Sequence, residues 1–508
     1  MLLTLITFLP LVFAGLLCCV RKESWVRPAA LIFSLVQLAV SFCLFCRFDK
    51  NSAALQLVEK HMWVESFGIQ YFLGIDGISL WLVVLTAVLT PIIILGSWVS
   101  IEKNFRHFAI HMMILETALI GSFLSIDAIL FYVFFEASLI PMYFIVGIWG
   151  GKRRIYATIK FFIYTMFGSV LMLIAMISMM YMTFDQLGYV SSSLLDFYKL
   201  QIPFVGGEIM NPQTLMFFAF TLAFSIKVPL FPLHTWLPDA HVEAPTPGSV
   251  ILAGVMLKLG TYGFLRFVIP LFPEATTYWG PLICILALIG IVYGALVAMV
   301  QPDIKKLVAY SSVSHMGYVV LGLFALNTYG VTGALYQMLN HGVSTGALFL
   351  LVGMIYERTH SREIKDYGGL ASVMPLYTIA FVIVTLSSIA VPGTNGFIGE
   401  FLILFGTYLY KKEFAYVAVT GVIFGAAYML WMVKRVFFGE EGPIVKEHKS
   451  HLHDLTLREG LVLAPLLVLA IWMGVYPQSF LSWSQTSIDH LMANKGQYQL
   501  TVYEEEAK

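Results

Sequence analysis

The chain alternates long apolar runs with short polar intervals. About 20 consecutive apolar residues suffice to cross a hydrocarbon core as a helix. Runs of that kind fall near 2–20, 28–47, 78–98, 107–125, 127–149, 159–183 and 213–231. Seven more lie near 246–270, 279–300, 306–326, 331–356, 373–408, 413–437 and 457–476. The pattern predicts about fourteen transmembrane helices and an all-α polytopic membrane protein. The longest polar intervals, near 48–74, 184–212 and 438–456, are too short to hold a soluble domain. Leu2 to Val20 has no basic leader and no small-x-small cleavage site, so it reads as a retained first helix.

Two runs are interrupted. The seventh ends in Lys227-Val-Pro229-Leu-Phe-Pro232-Leu-His234-Thr-Trp236-Leu-Pro238. The twelfth breaks at Val391-Pro392-Gly393-Thr-Asn395-Gly and resumes through Phe397-Ile-Gly399-Glu400-Phe401. Proline removes a backbone donor, and freed backbone groups cannot face lipid, so such breaks belong beside a buried polar cavity. The breaks are five runs apart, which suggests two five-helix repeats at 107–270 and 279–437. Three helices at 1–106 precede them, and one helix with a tail at 438–508 follows. An odd number of helices per repeat makes the second inverted relative to the first. Paired broken helices in an inverted repeat point to a transport site.

Composition agrees: 59% of the 508 residues are apolar and 12% are charged, with a mean hydropathy of +0.83. A soluble protein carries about 25% charge. Thirty Lys and Arg balance thirty Asp and Glu, so no electrostatic case for nucleic acid exists. All five cysteines lie in apolar runs, and the Cys43-x-x-Cys46 pair has no His or acidic companion to complete a metal site. No nucleotide loop, haem motif or iron–sulfur cysteine set is present, so this chain is expected to hold no cofactor and to do no redox chemistry alone. Seventeen Lys and Arg fall in odd-numbered loops and eight in even-numbered loops and the tail. That bias puts the odd loops in the cytoplasm and both termini on the outer side.

A charge near mid-bilayer costs roughly 2.5–3.5 kcal/mol on insertion scales and asks for a reason. Lys160, Arg266 and Arg458 sit near run ends and are expected to snorkel to the interface. Lys227 and Lys258 cannot. Burial disfavours the charged form of a lysine and a nearby carboxylate restores it, so moving a counter-charge switches such a group between protonation states. Glu136, in Phe-Tyr-Val-Phe-Phe-Glu-Ala-Ser-Leu-Ile-Pro, offers one counter-charge, and Glu400 follows the second break. The competing reading is that these charges only fix helix packing. His315 and His341 extend the row in chain order, since an imidazole can pass a proton between its two nitrogens. His234, Glu116, Asp239 and His241 are candidates for a relay or gate. Asp239 and His241 fall on the loop between runs seven and eight, where loop structure or a gate at the water boundary is the favoured reading. The stretch Ser479 to Lys495 is moderately amphipathic and suits a membrane surface or a neighbour. Glu504 to Glu506 read as solvated tail.

The stretch Lys227-Val-Pro-Leu-Phe-Pro-Leu-His-Thr-Trp-Leu-Pro-Asp-Ala-His-Val-Glu-Ala-Pro-Thr resembles the signature of the antiporter-like subunits of respiratory complex I. Lys305-Lys-Leu-Val-Ala-Tyr-Ser-Ser-Val-Ser-His-Met-Gly resembles their second signature. Both motifs are long and specific, and the layout agrees over nearly the whole chain. Within the family the chain looks most similar to the M branch of bacterial NADH–quinone oxidoreductase, whose mitochondrial counterpart is the fourth NADH dehydrogenase subunit. Glu400 stands where the sister subunits L and N usually carry lysine, and no long lateral helix of the L kind follows the last run.

The resemblance implies that Glu136 and Lys227 form a coupling pair. It places Lys258, His315 and His341 on a central hydrated axis and makes Glu400 the terminal proton-transfer site. Quinone reduction elsewhere in the assembly would alter the Glu136–Lys227 separation and drive a proton along that axis. FMN, iron–sulfur clusters and quinone are then expected in other subunits of a bacterial inner-membrane complex, with the L- and N-type subunits as partners. The alternatives are a multi-subunit Mrp-type cation/proton antiporter subunit, a membrane subunit of a ferredoxin- or hydrogenase-linked relative, and a purely structural subunit.

Overall fold

The computed structural model describes residues 1–449, 452–494 and 498–503. The first helices are α1 (Leu2–Cys19) and α2 (Glu23–Arg47), followed by strands β1 (Gln56–Val64) and β2 (Ile69–Ile75). Next come α3 (Leu80–Ser100), α4 (Phe105–Leu124), α5 (Ala128–Ala137), α6 (Leu139–Trp149), α7 (Arg154–Leu187) and the single turn α8 (Leu194–Phe197). The helix α9 (Pro212–Lys227) is separated by an irregular stretch from α10 (Trp236–Glu243). A continuous rod, Thr246–Leu271, contains α11 (Thr246–Ile251), α12 (Leu257–Gly263) and α13 (Ile269–Leu271), joined by π-helical turns at Leu252–Met256 and Phe264–Val268. Then follow α14 (Pro273–Met299), α15 (Ile304–Phe324), α16 (Thr328–Thr359), α17 (Pro375–Ser388), α18 (Asn395–Tyr410) and α19 (Lys412–Phe437). The chain closes with α20 (Pro443–His448), α21 (Leu457–Val475), α22 (Gln478–Leu481) and α23 (Gln485–Ala493).

Among the described residues, 12 helices are long and apolar enough to cross a membrane, counting α5–α6 and the α11–α13 rod once each. The other two expected spans are divided. Run seven stops at Lys227, and run twelve is split into α17 and α18 at 389–394. Both divisions fall at the Pro-bearing segments read from the sequence. A third break, at Ser138 between α5 and α6, was not foreseen.

Helix ends are fixed by side chains that satisfy their free N–H groups. Asp127 accepts from Ile129 N and Leu130 N at the start of α5, Asp303 from Lys306 N at α15, and Asn327 from Gly330 N at α16. Asp127 also accepts from Gln70 N at 3.1 Å and from the Ser192 hydroxyl, tying the hairpin and the 184–212 segment to one helix start.

The hairpin corrects the all-α expectation. β1 and β2 pair antiparallel across the 48–74 interval, with Gly68 in the turn at φ 62°. A Cβ there would fall 1.9 Å from Val190 O, so only glycine serves.

The layers sort inside out. The α11–α13 rod and α16 are fully buried, and α15 is nearly so, yet they are among the least apolar of the twelve. The outer helices α1, α2, α7 and α14 are more apolar and much less buried. Lipid accepts apolar side chains all round, whereas polar residues at membrane depth must face the interior of the bundle.

An expectation about position is overturned. Arg266 does not snorkel: it is 1% exposed and ion-paired with fully buried Asp76, Nη2 to Oδ1 at 2.7 Å. A partner inside the protein removes the need to reach the interface. The amphipathic C-terminal stretch packs on its own chain. Phe480, Ile488 and Leu491 are buried, Trp81 Nε1 donates to Phe480 O at 3.0 Å and Gly77 N to Ser487 Oγ at 3.0 Å. Lys495 and Glu504 to Glu506 lie outside the described residues.

Candidate functional site

The irregular stretch after α9 follows from its prolines. Leu230 N turns back to Ser225 O at 2.7 Å, which leaves Ile226 O without its helical donor. Trp236 Nε1 donates to that carbonyl at 2.8 Å. The signature Trp thus stabilises the broken end that carries Lys227. At the second break, Ser387 bonds the Asn395 side chain, and Asn340 Nδ2 on α16 donates to Asn395 O at 2.8 Å. Gly399 lets α16 approach, since a Cβ there would fall 2.4 Å from Gln337 Oε1.

Four of the expected site residues form one row through the buried interior. Lys258 Nζ lies 2.8 Å from His341 Nδ1 and also donates to Ala253 O, within the first π turn. That turn diverts a backbone carbonyl to the ammonium, and π turns often mark functional sites. The His341 and His315 rings are 6.1 Å apart. His315 Nδ1 lies 3.0 Å from Glu400 Oε1, and its Nε2 lies 3.5 Å from Ser388 Oγ. Glu400 Oε1 also accepts from Gln337 Nε2 at 3.1 Å. The four residues come from the rod, α16, α15 and α18 and are all buried. His341 Nε2 has no hydrogen-bond partner among the described residues.

Lys227 and Glu136 stand apart from each other. Lys227 is buried at the end of α9, its Nζ 3.5 Å from Ser138 Oγ and 4.6 Å from the Phe135 ring centroid. Glu136 sits two residues before Ser138, with Oε1 unpartnered and with Ser169 of α7 beside it. The two charges act on one another electrostatically, but among the described residues they do not meet as an ion pair within 4.0 Å.

The remaining candidates are not drawn into the row. His234 is buried, 5.6 Å from the Phe231 ring and 5.3 Å from Tyr293, with Nδ1 unpartnered. Asp239 is held by Lys160 at 2.7 Å, which also donates to Thr235 O. His241 is fully buried, not at the water boundary. Its ring stacks on Phe349 at 4.6 Å and neither ring nitrogen has a partner. Glu116 is buried on α4 with Oε1 unpartnered. Lys305, read as a loop residue, is buried and donates to Ala244 O.

The sequence reading missed Gln337, Asn340, Ser388 and Asn395. For the first two the signal is the polar stripe Gln337, Asn340, His341 and Ser344 at helical spacing in run eleven. Asp76 was also missed.

Comparison with known proteins identifies the family. Residues 125–425 match the family described as NADH:quinone oxidoreductase/Mrp antiporter, TM. Residues 2–122 match NADH-ubiquinone oxidoreductase chain 4, amino terminus. NADH-quinone oxidoreductase subunit M of Rhodobacter capsulatus is 47% identical over 504 residues, covering 97% of this chain and 96% of that one. NADH-ubiquinone oxidoreductase chain 4 of Marchantia polymorpha is 45% identical over 470 residues, 92% of each. A chain of respiratory complex I from Thermus thermophilus superposes with a TM-score of 0.85 at 32% identity, covering 96% of this chain and 99% of that chain. A chain of the Mrp complex from Dietzia sp. DQ12-45-1b shares the fold, with a TM-score of 0.83 at 20% identity and 98% of each covered. The chain belongs to the subunit M (chain 4) family of NADH-quinone oxidoreductase, the antiporter-like membrane subunits of complex I.

Proposed function

We propose that this chain translocates protons in the membrane arm of a bacterial inner-membrane NADH-quinone oxidoreductase. Redox chemistry takes place on FMN, iron–sulfur clusters and quinone in other subunits, and L- and N-type antiporter-like subunits are the neighbours. The chain crosses the membrane fourteen times, as twelve whole spans and two divided ones, with both termini outside and two inverted five-helix repeats meeting at the site. Family membership supports the complex. The Lys/Arg bias supports the orientation.

The observation that carries the proton reading is the row Lys258–His341–His315–Glu400 across a fully buried interior. An ammonium donating to His341 Nδ1 leaves that ring's proton on Nε2, the atom without a protein partner. The imidazole then accepts on one side and delivers on the other. The 6.1 Å between the rings is a distance one bridging water spans. His315 hands the proton to Glu400, which Gln337 steadies. Lys227 feeds the row. Separating Glu136 from it favours proton release, and bringing the carboxylate closer favours uptake. Ser138, in contact with Lys227 at the α5–α6 break, gives that separation a place to change.

Glu400→Gln tests this reading. The substituted complex is expected to assemble, with proton translocation and coupled NADH–quinone activity falling together by about a hundredfold or more, the scale of losing a positioned proton-transfer group. Parental translocation in the assembled variant contradicts it.

A further inference from the structure

The rod that carries Lys258 holds a second charge nearer its other end. Tyr262 and Arg266 follow Lys258 at i+4 and i+8, so the three lie along one stripe of the helix. The rise from Lys258 to Arg266 is about 12 Å. Arg266 Nε donates to Tyr262 OH at 3.2 Å and Nη2 to Asp76 Oδ1 at 2.7 Å. Tyr262 OH in turn donates to Phe123 O at 3.0 Å. Tyr198 OH donates to Arg266 O at 2.7 Å, and the Tyr198 and Tyr498 rings meet at 5.2 Å. Beyond these tyrosines lies a polar cavity of about 370 Å³, whose lining includes Lys199, Gln201, Gln213 and Glu274. By the Lys/Arg orientation this cavity is on the outer side. Tyr198 and Tyr498 line this cavity, and Tyr198 bonds the backbone of Arg266, eight residues along the rod from Lys258.

A buried ion pair is a poor way to stabilise a fold, because two well-packed apolar residues serve as well or better. Its position suggests another use. Proton transfer along hydrogen bonds needs groups that accept on one side and donate on the other. A guanidinium stays charged, donates through every nitrogen and accepts at none. It therefore ends a hydrogen-bonded path from either direction, and its positive charge opposes an approaching proton.

We propose that Arg266, held by Asp76, is the outer seal of the first repeat. A proton on Lys258 cannot pass it to the outer cavity and leaves only toward His341. This rests on the relay and orientation argued above, but its readout is passive leak, which does not require the relay to turn over.

The whole complex in sealed proteoliposomes is given an acid pulse without NADH, and the decay of the pH difference is followed. Arg266→Lys, whose ammonium stays charged while Asp76 pairs it, is expected to leak more slowly than the double variant below. Arg266→His combined with Asp76→Asn replaces the pair with a group that both accepts and donates. It is expected to leak on the order of tenfold faster than the parent, with NADH oxidation persisting but no longer stimulated by an uncoupler. An assembled double variant that stays tight overturns the proposal, as does a leak from Arg266→Lys equal to that of the double variant. Tyr498→Ala provides the arm that does not disturb the ion pair. It stays tight if the guanidinium is the seal, and a leak there assigns the seal to the tyrosines and overturns the proposal. Normal pumping by Glu400→Gln would sink the relay while leaving these leak rates interpretable.

Discussion

Each buried charge in this chain has its own arrangement, and the differences carry the functional argument. Lys258 meets a histidine, Arg266 meets an aspartate, and Lys227 meets a serine hydroxyl and an aromatic face. Hydropathy marks a charged residue inside an apolar run whatever its partner, which is why Lys258, His315, His341 and Glu400 were legible as a set. Partners supplied from distant segments were not. Asp76 lies 190 positions from Arg266, and Gln337 and Asn340 carry no charge to draw attention. Outside the membrane, Asp196 shows the same balance in milder form. Burial pushes its carboxyl up, but hydrogen bonds from Lys199, Ser191 and Tyr189 prevail and hold it below the usual range. A lowered folded-state pKa means the stabilisation is complete above the unfolded value of about 3.9 and fades as the pH falls through the folded one. Asp196→Asn is therefore expected to speed proteolytic nicking of the 184–212 segment at pH 7, with the difference from the parent closing only well below the ordinary carboxylate range, at about pH 2. A difference unchanged between those two conditions contradicts the argument.

At the scale of elements, breaks and close approaches decide where the site forms. The prolines after Lys227 and at Pro392 announced two divisions. The Ser138 break went unread although Pro141 removes the donor that Ala137 O would use one turn back. The β-hairpin was read as a polar loop, because its strands mix charged and apolar residues and no hydropathy window flags them. Val58, Trp63, Tyr71 and Phe72 around Gly68 were the available signal. The crossing of α16 and α18, which brings Gln337 to Glu400, depends on glycine. A Cβ at Gly406 would fall 2.3 Å from Gly330 N and 2.5 Å from its Cα, both backbone atoms that cannot rotate away. Gly406→Ala is expected to cost about 1–3 kcal/mol by overpacking, seen as less assembled complex on native gels. Gly460→Ala, which meets nothing within 4 Å, should assemble as the parent does. Equal assembly of both variants would show that the two helices have slack at their crossing.

For the molecule as a whole, the innermost spans are among the least apolar, and several of the most apolar are among the least buried. That ordering was present in the sequence as composition but becomes meaningful only once packing separates inside from outside. The C-terminal segment closes over the N-terminal hairpin, with Leu55 N bonded to Thr501 O and Tyr503 N to Leu55 O, both at 2.8 Å. These contacts join distant parts of the chain, so no local pattern could foretell them. The proposed proton path likewise belongs to the assembled interior, since no single run contains more than part of it. Lys227 is where the path meets the divided helix. The most direct measurement is proton translocation against quinone reduction in membranes carrying Lys227→Ala, with assembly checked by native electrophoresis. The account expects an assembled complex in which translocation and coupled oxidoreductase activity both collapse. Translocation persisting at the parental ratio would make Lys227 a packing group and contradict the channel.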